Sequence, residues 1–287
     1  MVEPVVARKT WRTLEPVHGV VYFAPEPAEE YERAGLAPGR MGYFASRAAP
    51  MGTPPAETVI AAFFNFNPAL VHSVIPAAWT LADPVRITEA RRIGIDRTLR
   101  RILGDSVASP GLARAAELAR VAAETACERP EGRPLFAGHA ALAWPDDPHL
   151  VLWHAQTLLR EFRGDGHVAA LVTHGLSGIE ALVTHAANGD LPAEVLRATR
   201  AWPADDWAAA VDGLRGRGIV DADGAFTDPG RALRQTIEDL TDTLAAPAYA
   251  SLGDDGCAEL RELVRDISKQ IVAAGDFGLG ALRAAAE

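Results

Sequence analysis

The sequence predicts an all-α protein with a small β wing, an N-terminal helical bundle followed by a C-terminal winged helix-turn-helix. Three observations carry this. Apolar residues recur at helical spacing, and no run in the first 175 residues sustains strand alternation. Pro, Ser, Thr, Asn and Asp stand where helices should begin. One Asp-Gly turn, Asp223-Gly224, lies between two short apolar stretches.

Val5–Phe23 reads as a first helix interrupted by Pro16, and Gly42–Ala48 as a short one ended by Pro50. Thr58–Phe66 follows, then a helix starting at Pro68 and capped by Asn67. Pro84–Leu103 is amphipathic. Ser109-Pro110 opens a helix that runs to about Cys127. After a Pro/Gly-rich connector, Pro148–Arg163 is helical, Gly164-Asp165-Gly166 should break the chain, and His167–His174 should resume it. The bundle is therefore placed at residues 1–175.

In residues 176–287 the pattern is three helices, at Gly178–Ala187, from Pro192 and at Pro203–Arg215. Gly218-Ile219-Val220 and Ala225-Phe226-Thr227, around Asp221-Ala222-Asp223-Gly224, should form a hairpin. Thr227 can cap a long helix over Pro229–Ala245.

Composition narrows the function. The 287 residues carry a net charge of −10, which argues against a surface that broadly attracts nucleic acid or acidic lipid. Two cysteines, Cys127 and Cys257, cannot build a disulfide framework or a thiolate zinc site. No segment has the shape of a secretory signal, and no apolar run approaches 18 residues, so a cytoplasmic protein away from membranes is expected. Gly-x-Ser-x-Gly, P-loop and dinucleotide-binding patterns are absent, as is a Cys-x-x-Cys-His haem attachment, and no cofactor is specified.

The stretch LRGRGIVDADGAFTDPGRALRQTIEDLTDTLA (residues 214–245) resembles the end of a MarR-type winged helix. That resemblance implies a winged fold and homodimerisation through the long terminal helices. The passages EPVHGVVYF, GYFASRAAPMG, LWHAQTLLREFRGDGHVAALV and GLSGIEALVTHA extend the likeness to a group of actinobacterial two-part helix-turn-helix proteins. It transfers no catalytic residues.

Charge argues against the DNA contact that such a fold implies. A helix reading the major groove lies between two phosphate rows and is normally flanked by basic groups. Here it begins with Asp205 and Asp206. Across residues 168–250 there are six arginines against twelve carboxylates. The basic stretch Arg86–Arg101, net +4, is expected to be a solvated face or to pair with the acidic C-terminal half.

The candidate chemical groups fall in two clusters. Trp11, Glu15, His18 and Tyr22 share one face of the first helix beside Pro16, a pattern suited to a proton-transfer pair, Glu15 and His18. The second cluster, His154, Arg160, Glu161, Arg163, Asp165 and His167, suits one wall of a ligand pocket in the bundle. Its spacing matches no metal motif. Arg47, on an apolar helix, must pair with a carboxylate (Glu15 is a candidate) or clamp a ligand, and Asn65 is either a satisfied core amide or a pocket donor. The resulting expectation is a small-molecule-binding protein, catalytic or not, whose winged helix is a scaffold or dimer module. A ligand-responsive MarR-like regulator is the alternative.

Overall fold

A computed structural model describes residues 2–189 and 191–277. Asp190, one of the twelve carboxylates counted above, lies outside them. Among the described residues fifteen α-helices follow one another: α1 Pro4–Gly19, α2 Pro25–Arg33, α3 Arg40–Ala48, α4 Ala56–Phe63, α5 Pro68–Val74, α6 Ala77–Leu81, α7 Pro84–Leu103, α8 Pro110–Cys127, α9 Pro134–Ala140, α10 Pro148–Thr173, α11 Gly178–Ala187, α12 Ala193–Thr199, α13 Ala204–Gly216, α14 Asp228–Ala245 and α15 Gly253–Ala273. No described helix is long and apolar enough to cross a membrane.

Helix starts obey local chemistry. Asn67, Asp83, Ser109, Ser177 and Thr227 each accept a backbone N–H in the first turn of the helix that follows. At Ser177 the cap is reciprocal, because Glu180 reaches back to the Ser177 amide. The fourth helix ends at Phe63, three residues earlier than expected, because Phe64 turns the chain with φ of 61°.

Three cores form. The first joins α1, α7, α8, α10 and α15. The alanines of α8 (Ala115, Ala119, Ala122, Ala126) are fully buried in it and let α10 approach closely. The second packs α2–α6 on the start of α7, around Phe44, Phe63 and Phe66. The third holds the helix-turn-helix unit: Leu171, Leu176, Val183, Leu214, Val220, Phe226 and Ile237. That unit is an excursion from the bundle, since α15 returns to the first core with Leu260, Val264 and Ile271 buried.

Two expectations need correction, and one open choice is decided. The predicted hairpin reduces, among the described residues, to one antiparallel bridge between Val220 and Phe226; the Asp221 carboxylate organises the turn by accepting the Asp223 and Ala225 amides. Gly164-Asp165-Gly166 does not break the helix, and α10 runs unbroken for 26 residues. The Asp165 carboxylate accepts the Phe136 amide of α9 at 2.9 Å instead of capping its own helix. Gly166 is a packing glycine: a Cβ there would lie 2.8 Å from Arg133 Nη1, whose guanidinium donates to the Phe162 and Leu244 carbonyls. Finally, of the two readings of Arg86–Arg101 the solvated face is the one seen, with Arg86, Arg92, Arg100 and Arg101 exposed, and the ion pairs go mostly to α2 and to the same helix rather than to the C-terminal half. Arg97 bridges Glu29 and Glu30, Arg101 takes Glu26 and Asp276, and Arg92 takes Glu89.

These glycines give a test of the unbroken helix. Gly164 has no close neighbour nearer than Glu161 Oε2 at 3.6 Å, so Gly164→Ala should stabilise the protein by about 0.5–1 kcal/mol. Gly166→Ala should destabilise it by about 1–3 kcal/mol. Urea unfolding followed by circular dichroism measures both.

Candidate functional site

The cavity of interest lies where the bundle meets the helix-turn-helix unit and holds about 600 Å³. Helix α1 supplies Arg8, Trp11, Arg12 and Glu15, and α3 supplies Tyr43 and Arg47. The turn after α4 gives Phe64, Asn65 and Phe66, and α10 gives Arg160, Glu161, Arg163, Asp165 and His167. The far wall is made by α11 and α14 and by Arg200, which follows α12.

Glu161 is the centre of its electrostatics. Its carboxylate is fully buried and accepts from Arg47 Nε at 3.0 Å, Arg47 Nη2 at 2.9 Å and Arg160 Nη1 at 2.9 Å. Burial opposes its ionisation, but the two guanidiniums prevail and hold the carboxyl well below its usual range. Arg47 also donates to the Tyr43 hydroxyl at 3.2 Å and lies over the Phe63 ring. Its carboxylate partner is therefore Glu161, not Glu15 as the sequence had suggested. Glu15 faces the cavity 3.7 Å from Arg160 Nε and within 3.4 Å of Gln156 Nε2; desolvation raises its carboxyl, opposed by Arg160.

Nine residues expected at a site from sequence line this cavity: Trp11, Glu15, Arg47, Asn65, Arg160, Glu161, Arg163, Asp165 and His167. Arg163 donates to Asp242 at 2.7 Å and lies over the Trp11 ring. Asp165 is pushed up to about 6 by burial. His167 meets the Thr241 hydroxyl at 2.9 Å, and burial lowers it to about 4.

The other three lie outside the lining. His18 is fully buried behind the wall, and desolvation with the nearby Arg160 and Arg91 keeps it neutral. The Thr157 hydroxyl is spent on the Trp153 carbonyl, so His18 Nδ1 donates to Thr157 and Nε2 accepts from Tyr22. Tyr22 in turn accepts from Arg91. Glu15 and His18 share a helix face but not a pocket. His154 packs edge-on against Trp144, and burial lowers it to about 4.

Sequence reasoning missed Tyr43 and Arg200. Arg200 lies over the Phe66 ring, donates to the Thr199 hydroxyl at 2.9 Å, and has a buried Nε without a hydrogen-bond partner. Its only sequence signal is a turn, Arg200-Ala201-Trp202-Pro203.

One group among the described residues could offer three ligand atoms to a metal: Asp96, Asp147 and His149. Arg100 already donates to both carboxylates, so a cation there would have to displace a guanidinium.

A model of a helix-turn-helix family matches residues 7–278. The chain belongs to this helix-turn-helix family. Comparison with curated proteins and with solved structures finds no match. In the helix-turn-helix unit Asp205, Asp206 and Asp212 of α13 are all exposed. The neighbouring arginines are held by the protein itself. Arg215 binds Asp212 and the Asp221 and Ala222 carbonyls, Arg217 binds Glu180, and Arg231 binds Asp228.

Glu161→Gln should destabilise the fold by about 3–5 kcal/mol, because two buried guanidiniums would lose their counter-charge; chemical denaturation reads this. Stability should also rise from pH 4.5 to 6.5. In that window the unfolded chain protonates His18, His139, His154 and His167, all of which burial lowers in the fold, the last three to about 3, 4 and 4. Asp165, raised to about 6, and Glu15, also raised by burial, act in the opposite sense and offset part of this. Calorimetric melting across this range measures the slope, and His154→Asn should flatten it.

Proposed function

We propose that this helix-turn-helix protein binds a small organic molecule in the cavity between bundle and helix-turn-helix unit, and that the unit serves as a wall of that cavity rather than as a DNA reader. The observation that carries this reading is the cavity itself. Its volume suits a metabolite-sized ligand, and buried polar groups converge on it beside aromatic faces. The proposed binding residues are Arg47, Asn65, Arg160, Arg163, Asp165 and His167. Tyr22 supports the wall from behind, its ring 5.1 Å from that of Tyr43, whereas His154 packs on Trp144 away from the lining. Of the proton-transfer candidates, Glu15 would touch a bound molecule, and His18 would act only through Tyr22.

The acidic face of α13 supports the absence of a DNA role, since each aspartate there would meet a phosphate row. Homodimerisation through α14 and α15 would need faces other than their apolar ones, which are buried on α1, α8 and α10.

One observation favours the ligand-responsive, MarR-like regulator. The turn between α12 and α13 is tied to the bundle at the cavity's edge: the Asn67 amide donates to the Arg200 carbonyl at 3.0 Å, Trp202 Nε1 to the Asn65 carbonyl at 2.9 Å, and Arg40 Nη1 to the Thr199 carbonyl at 3.0 Å. A ligand in the cavity would bear on these ties. Fluorescence anisotropy with labelled random duplex at 50 mM salt separates the two readings. No saturable binding is expected, and binding that weakens steeply with salt would establish the regulator.

A further inference from the structure

The cavity is electrically lopsided. At the α14 end, Arg8, Arg163 and Arg234 face Glu238 and Asp242, and each arginine has a carboxylate. At the opposite end Arg47, Arg160 and Arg200 crowd the Tyr43 hydroxyl, and their summed charge lowers that phenol below its ordinary value against the effect of burial. Glu161 is committed to Arg47 and Arg160 through both of its oxygens.

Arg200 is left over. Among the described residues this half-buried guanidinium has no carboxylate, only the Thr199 hydroxyl, the face of Phe66 and the nearby Tyr43 phenol, and none of these supplies a full counter-charge. Burial and the neighbouring Arg47 and Arg160 both work against its charged form. A guanidinium held in this way, at the edge of a cavity, calls for an anion from outside the chain.

We propose that Arg200 is the anion receptor of the cavity and that the ligand is an organic monocarboxylic acid with an apolar or aromatic body. This rests on the cavity being a small-molecule site. Among the described residues two lining arginines lack a carboxylate, but Arg12 is exposed, and of the two only Arg200 has a buried nitrogen without a partner. A single enclosed cation suits a single negative charge. A dianionic phosphate would need a second cation, and it would sit against Glu161, which already saturates the other two arginines. Planar carboxylate geometry is the one guanidinium groups grip best, as Arg47 does with Glu161 a few ångströms away. The acid's body would lie along Phe64, Phe66 and Trp11, toward Leu171 and Ala181.

Isothermal titration calorimetry with the full chain tests this, using benzoate, 3-phenylpropionate and 2-naphthoate, their primary amides, and inorganic phosphate, all at matched chloride. At least one acid should bind, with its amide at least tenfold weaker and phosphate weaker still. Arg200→Gln should weaken that acid at least tenfold and leave the amide unchanged, while Arg200→Lys retains part of the affinity. The control Arg231→Gln, outside the cavity, should match wild type. Without ligand, Arg200→Gln should melt at the wild-type temperature or above, since it removes a half-buried cation that no carboxylate of the described residues meets. Amides binding as tightly as acids, phosphate binding more tightly, or acid affinity unchanged in Arg200→Gln would each overturn the proposal and leave the cavity as a small-molecule site. No binding of any acid or amide would overturn both. The comparison of acid with amide on the wild-type protein decides the matter even if a variant fails to fold.

Discussion

The buried carboxylate of Glu161 is the constraint on which the rest of this architecture turns. A carboxylate with no exposure is tolerable only if guanidiniums meet both its oxygens. Arg160, one residue before it on α10, supplies one contact. The bidentate contact must come from another element, and it comes from Arg47 on α3. That pairing fixes α3 against α10, and with α3 comes the second core, because Phe44 and Phe63 pack around the same short helix. The ion cluster is thus both the joint between the first two cores and one end of the cavity.

The fold was readable from sequence where local chemistry decides it. Five capping residues sit at five helix starts, because a cap involves only the next three residues. Where contacts distant in sequence decide, the reading failed. Gly164-Asp165-Gly166 has the composition of a helix stop, yet its glycine and carboxylate answer to Arg133 and Phe136, about thirty residues away. Helices α2 and α9 begin at prolines and last 9 and 7 residues, too short for a period to rise above the look of a linker.

Site legibility followed a similar division. Polar side chains on apolar helices must find partners or converge on a solvent-filled space, so a list of such residues is enriched in cavity walls. Arg160, Arg163, Asp165 and His167 meet there because α10 stays helical past the glycines and carries them along one wall. The same rule could not separate His18 and His154, which are enclosed in the core, from His167, which reaches the cavity. Sequence spacing does not show whether a hydroxyl waits nearby. Arg200 was invisible for a different reason: what sets it apart is that no carboxylate among the described residues meets it, and a missing partner has no sequence signature.

The helix-turn-helix unit can be weighed on the same physical terms. A reading head needs free cations pointing outward and some freedom to settle along the groove. Here Arg215, Arg217 and Arg231 are held by carboxylates and carbonyls of the unit itself, and apart from Arg215 the exposed charged residues of α13 are aspartates. The turn before α13 is hydrogen-bonded back to residues 65–67, and Gly178 lets α11 approach so closely that a Cβ there would stand 2.0 Å from the Phe64 carbonyl oxygen. Among the described residues no carboxylate claims Arg200, the cation of the α12–α13 turn, and it lines the cavity. A unit anchored this way, with its free charge turned inward, is better placed to hold a small molecule than to lie along a polyanion.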